Sequence, residues 1–183
     1  MRVIAGSAKG RRLKTREGRD TRPTTDRCRE ALFAILQFEV PGASFLDLFS
    51  GSGGIGIEAL SRGASEAVFV EADAGACACI RENLSTTGFS ARSRMLRKDV
   101  FQAIRLLEQE GRSFDIIFLY PPYDHGLEQQ TLDLLSTTHL LKKEGWLVIE
   151  SSSRTEQDLP EEVFELDKVR DYKITRFTFL KKK

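Results

Sequence analysis

Long apolar runs are missing from this chain of 183 residues: none approaches the roughly 20 residues that a membrane-spanning helix needs. The start, Met1-Arg2-Val3-Ile4-Ala5-Gly6, has too short an apolar stretch for a secretory leader and turns basic at once, which predicts a cytoplasmic location. Histidine is scarce, at two, and cysteine is scarce and odd in number, at three. Cys77 and Cys79 form a C-x-C in an Ala-rich helical stretch with no second ligand pair nearby. They read as small buried side chains rather than a metal or disulfide site, and no metal is expected. The length also excludes a two-domain dehydrogenase with its own substrate domain, while allowing one substantial core.

What is present is unevenly spread. Residues 1–30 hold ten basic side chains against four acidic ones, so this segment carries +6 in a chain of net charge +1 and the remainder carries −5. Such a split predicts a polyanion-binding arm on a nearly neutral or acidic body. The arm alternates apolar and polar residues and carries turn glycines, unlike a disordered tail. Residues 2–5 and 11–15, around Gly6 to Gly10, read as a short basic hairpin. Arg22-Pro23-Thr24-Thr25 is a turn, and a threonine caps a helix predicted over 26–37. The expected division is therefore a basic hairpin and helix over 1–40 and a main domain over 41–183.

From Ser44 onward, strands and helices alternate. Strands are predicted at 44–49, 66–71, 94–96, 114–119 and 145–150, with helices at 54–62, 74–86, 100–110 and 128–140 between them. Two last strands, 163–167 and 172–180, read as an antiparallel pair at one edge. Repeated β-α units with short connections imply an α/β fold, a doubly wound and mostly parallel sheet of about seven strands. Ligands of such sheets bind at the carboxyl ends of the strands. The chemically unusual strand ends here are Asp47–Gly51, Glu71 and Tyr120–Tyr123.

Gly51-Ser52-Gly53-Gly54-Ile55-Gly56 fits G-x-G-x-x-G between a strand and a helix. The glycines permit positive φ and close approach of backbone to ligand. Alone the turn is generic, because several adenosine cofactors use it. Glu71, about 20 residues on at the end of the next strand, is placed to accept both ribose hydroxyls. Asp47, just before the glycines, is a poor neighbour for pyrophosphate and a good one for the cationic amino group of a methionine moiety. The ligand read from these residues is S-adenosylmethionine. Phe49, Gly51, Gly53, Gly56 and Val100 complete the expected cofactor set, with Asp99 accepting from the adenine amino group or simply capping a helix.

The stretch Tyr120-Pro121-Pro122-Tyr123 resembles the (Asp/Asn)-Pro-Pro-(Tyr/Phe) motif of amino-methyltransferases. The wider match runs through Arg2–Gly6 with Lys9-Gly10-Arg11, Arg22–Arg27 with Arg29–Phe33, Asp47–Gly63 and Phe114–Tyr123. On these residues the chain resembles the RsmD family of 16S rRNA (guanine-N2)-methyltransferases, which act on guanine 966. The resemblance implies a Rossmann-like class I methyltransferase, S-adenosylmethionine as cofactor, 16S rRNA or the assembling small subunit as partner, and a monomer. It implies a catalytic role for Tyr120, Pro121, Pro122 and Tyr123. Phosphates of the RNA would be held by Lys9, Arg11, Arg12, Arg22, Thr24 and Arg27.

One position departs from the motif. Tyr120 stands where the family has Asp or Asn, and a phenol is longer, bulkier and neutral. Three readings are open: Tyr120 serves as a replacement acceptor, Asp124 moves in, or this copy is a weakened enzyme. Reduced but real activity is the expectation. Competing functions are a DNA adenine-N6 or protein glutamine methyltransferase, and a non-catalytic RNA-binding or assembly protein. A nicotinamide oxidoreductase would leave the two prolines and Tyr123 without a task.

Overall fold

Buried apolar runs, each closed by a turn, define the centre of the molecule. The computed structural model describes residues 1–16, 24–122 and 126–183. The strands are β1 (Ser44–Leu48), β2 (Glu66–Val70), β3 (Ser93–Leu96), β4 (Phe114–Leu119), β5 (Leu141–Ser152), β6 (Phe164–Tyr172) and β7 (Thr175–Lys182). The helices are α1 (Asp26–Ile35), α2 (Gly54–Ser61), α3 (Ala74–Thr87), α4 (Val100–Gln109) and α5 (Leu127–Ser136). One seven-stranded sheet results, in the order β3-β2-β1-β4-β5-β7-β6. β1 to β5 are mutually parallel, while β7 runs antiparallel to both β5 and β6. The expected doubly wound sheet with an antiparallel edge pair is what forms.

Alternation along each strand sorts side chains onto two faces. Phe45, Phe69, Phe118, Val148 and Phe177 pack with α1, α2 and part of α3. Leu46, Leu48, Val70, Leu119 and Ile149 pack with α4 and α5 on the other face. The strand order reverses between β1 and β4, and sheets of this kind bind ligands at such a point, at the carboxyl ends of the strands. Cys77 and Cys79 are buried and free on α3.

Several boundaries differ from the sequence expectation. α1 stops at Ile35 and α5 at Ser136, short of Gln37 and Leu140. β5 starts at Leu141, four residues before the expected Gly145. Leu141 pairs with Phe114, and the register then shifts around an irregularity before Trp146 meets Ile116. The exposed Lys142-Lys143-Glu144 stretch, with Glu144 at φ 62°, gives no strand-like alternation to read. β6 runs on to Tyr172 because it is a polar edge strand, held by ladder bonds to β7 rather than by burial. The amino-terminal hairpin is reduced to one bridge, Arg2 with Arg12, supported by Val3 N to Arg11 O at 2.9 Å and Leu13 N to Met1 O at 2.9 Å.

This amino-terminal segment is tied down by a buried carboxylate. Glu58 of α2 accepts from Ile4 N at 2.8 Å, Ala5 N at 3.0 Å and Arg62 Nε at 2.8 Å. Ser61, one turn later, receives Ala8 N at 2.9 Å and donates to Ala5 O at 2.5 Å. On the far side, Asn83 of α3 accepts from Lys14 N and donates to Lys14 O. Val3, Ala8 and Leu13 thus lie in the same core as Leu32, Phe33 and Phe45. Arg29 threads between these parts, fully buried, donating to Arg2 O at 2.6 Å and Asp26 Oδ1 at 2.8 Å.

Candidate active site

Asp47 and the glycine loop meet at the carboxyl end of β1. Asp47 shares a face with Phe45, toward α1 and α2, and is 2% exposed. Its Oδ2 accepts from Gly56 N at 3.0 Å. Burial pushes its carboxyl up from 3.8 to about 7, although the Gly56 bond pulls the other way. Ser50 ties the loop to the neighbouring strand, donating to Asp47 O at 2.7 Å and accepting from Val70 N at 3.0 Å. Phe49 turns the chain at φ 61°, a left-handed conformation that a bulky residue rarely adopts.

The glycines act differently along the loop. Gly51 sits at φ 55° with open space where a side chain would project, so its backbone is free to be covered by a ligand. Gly56 is needed for packing: an added Cβ would lie 2.4 Å from Phe69 Cε1. Gly53 forms the amino-terminal cap of α2 at φ 82°.

Glu71 closes the second side, accepting from Gly51 N at 2.9 Å through Oε2 and from Asp73 N at 2.8 Å through Oε1. Two backbone donors thereby orient the carboxylate, while each oxygen keeps a further lone pair for a hydroxyl donor. Asp99 is the amino-terminal cap of α4, with Oδ1 accepting from Phe101 N at 2.9 Å and Gln102 N at 3.4 Å. It is exposed, and Val100 beside it is buried.

Tyr120, Pro121 and Pro122 follow β4, next to β1 in the sheet. Tyr120 is half-buried against the α1–α3 face, Pro121 is buried and Pro122 exposed. The sequence-predicted Tyr123 and Arg22 lie outside the described residues, as does Asp124. Lys9, Arg11, Arg12 and Arg27 are exposed, with no carboxylate partner among the described residues. Lys14 and Arg16 instead pair with Glu82 and Asp73.

Sequence reasoning overlooked Glu150. It ends the apolar run of β5, two residues before the strand itself ends at Ser152, and because Leu119 pairs with Ile149 it lies beside Tyr120. Glu150 is 1% exposed, and its Oε2 accepts from the Thr24 hydroxyl at 2.6 Å. Burial raises its carboxyl from 4.5 to about 7, against the pull of the Thr24 bond. The signal was an acidic residue closing an apolar strand, the pattern already recognised at Glu71. Thr24, expected to face RNA, has its one hydroxyl proton turned to Glu150.

Asp47 gives the stability a pH dependence of known sign. Its folded value of about 7 lies above its ordinary 3.8, so the folded state binds more protons than the unfolded state between these values. Stability from this group is complete below the ordinary value and is lost as pH rises toward 7, by at most about 1.4 kcal/mol per pH unit. Asp47→Asn should flatten the fall in unfolding free energy between pH 5 and 7. Parallel urea-unfolding profiles for the two proteins would contradict this assignment.

A glycine turn at the β1–β4 switch with its acidic partner just after β2 and a proline pair ending β4 define a class I methyltransferase. The structure of the Escherichia coli methyltransferase YhhF superposes with a TM-score of 0.87 at 32% identity, covering 100% of this chain and 98% of that one. The chain belongs to the family described as conserved hypothetical protein 95, which it matches over residues 1–181, and which is the RsmD family. YlbH of Bacillus subtilis, named as an rRNA methyltransferase, is 38% identical over the full length of both chains. Ribosomal RNA small subunit methyltransferase D of Escherichia coli is 36% identical over 160 residues, covering 87% of this chain and 78% of that protein.

Proposed function

We propose that this methyltransferase transfers a methyl group from S-adenosylmethionine to the exocyclic N2 of a guanine in small-subunit rRNA. The observation that carries the reading is the position of Tyr120-Pro121-Pro122 at the end of β4, directly beside the β1 glycine loop. The donor set suits the cofactor: Asp47 for the cationic amino group, Glu71 for the ribose hydroxyls, Asp99 for the adenine amino group. Phe49, Gly51, Gly53, Gly56 and Val100 form the walls. The bound cofactor supplies an electrophilic sulfonium methyl.

The protein's share of the chemistry is positioning. An exocyclic base nitrogen is a weak nucleophile because its lone pair is delocalised into the ring. Acceptors aimed at its N–H bonds, among them the Pro121 carbonyl, favour a pyramidal nitrogen with the lone pair directed at the methyl group. Tyr123 stacks on the target base. Residues 1–40 serve as the RNA-binding extension although they share the core, with Lys9, Arg11, Arg12, Arg22 and Arg27 neutralising phosphates. The enzyme acts in the cytoplasm as a monomer. No helix among the described residues is long and apolar enough to cross a membrane.

The test is transfer of tritiated methyl to small ribosomal subunits from a strain lacking this protein, with the modified nucleotide then mapped. A single labelled N2-methylguanine is expected. Label on adenine or on a ribosomal-protein glutamine would replace the reading with that chemistry, and no label on any substrate would leave a binding protein. Protein-free rRNA run alongside identifies the assembly state that the enzyme recognises.

A further inference from the structure

Glu150 is the buried acidic group at the strand ends for which the reaction scheme above has no use. A carboxyl withdrawn from water is unfavourable unless it is hydrogen-bonded, and Thr24, 126 positions away in sequence, supplies the bond. Thr25, the next residue, caps α1 by accepting from Cys28 N at 3.2 Å. The bond to Glu150 therefore fixes the start of α1 near the carboxyl end of β5, next to Tyr120. The same turn of helix carries the exposed Arg27, and Arg29 joins it to Arg2 of the basic segment. Between them these contacts make one connected path from β5 to the basic surface.

We propose that Glu150 is a positioning residue, which through Thr24 holds the start of α1 and the basic segment in register with the Tyr120–Pro122 loop. RNA gripped by the exposed arginines is then presented to the methyl-transfer site at a fixed offset. The inference rests on the proposed function for its catalytic consequence, while the anchoring itself is independent of it. Loss of a buried hydrogen bond to a carboxyl is worth about tenfold or more in an equilibrium between held and released forms.

The experiment compares Thr24→Val, Thr24→Ser, Glu150→Ala, Glu150→Gln and the Thr24→Val/Glu150→Ala double variant. Steady-state methylation of small ribosomal subunits, adenosylmethionine affinity and amide exchange at Cys28 and Arg29 are measured for each. Thr24→Val and Glu150→Ala should each lower kcat/KM for the subunit by about tenfold and speed exchange at these amides by about as much. The double variant should be no worse than the poorer single one, because both break the same link. Thr24→Ser and Glu150→Gln keep a donor and an acceptor and should restore the parent behaviour, with cofactor affinity unchanged throughout.

Unchanged exchange in Glu150→Ala refutes the anchoring, whatever the activity. Slower methylation with unchanged exchange assigns Glu150 a direct catalytic contact instead, and additive losses in the double variant separate the two residues. If the parent protein modifies no guanine of the small subunit, the proposed function fails while the exchange measurements still decide the anchoring.

Discussion

Tyr120→Asp is expected to speed methyl transfer to small-subunit rRNA by about tenfold to a hundredfold. The motif position that Tyr120 occupies lies at the end of β4, beside the β1 loop on one strand and Glu150 on another. A carboxylate there would accept from the exocyclic N–H and favour the pyramidal nitrogen in the transition state. A phenol offers one weaker acceptor on a larger, neutral ring. The ring, however, packs half-buried against the core that contains Phe118 and Phe177, so its removal should cost about 1–3 kcal/mol of stability. The assay must therefore be run well below the variant's unfolding temperature, with cofactor binding checked in parallel. A folded, cofactor-binding Asp variant that is no faster than the parent would mean that Tyr120 is itself an adequate acceptor.

Glu58→Ala should destabilise the fold by about 3–5 kcal/mol, the largest loss expected from any single side chain described above. Glu58 is completely buried and takes bonds from Ile4 N, Ala5 N and Arg62 Nε. Truncation leaves two backbone donors and a guanidinium without their acceptor, and the penalty for such orphaned groups exceeds the net value of the bonds. The midpoint of urea unfolding should fall accordingly. The variant should also bind RNA less tightly, because Lys9, Arg11 and Arg12 ride on the segment that Glu58 pins. A stability change below about 1 kcal/mol would show that Ser61 and Asn83 hold the segment unaided.

The elements that were legible in the sequence are those whose side chains report burial directly. Ile116–Leu119 and Trp146–Ile149 are apolar throughout because both faces of a central parallel strand are covered. Lys142–Glu144 and most of β6 gave no such signal, since an edge or a bulged strand end is held by backbone bonds that any sequence can make. Helix ends were overextended by a few residues at α1 and α5, where apolar periodicity continues past the last helical hydrogen bond. Asp99 was legible in both of its readings, and its capping bonds to α4 are the part that the fold displays.

The glycine loop, Asp47, Glu71 and the two prolines after β4 were fixed by local sequence, because each depends on chain geometry within a few residues or on one β-α unit. So was the family, since its motifs are local as well. Three things depended on the tertiary structure: the joining of residues 1–14 to the core through Glu58, the burial that lifts the Asp47 carboxyl, and the bond between Thr24 and Glu150. All three unite groups far apart in the chain. No pattern along a sequence specifies which distant groups share a buried space. That is decided by how the helices on one face of the sheet cover the ends of its strands.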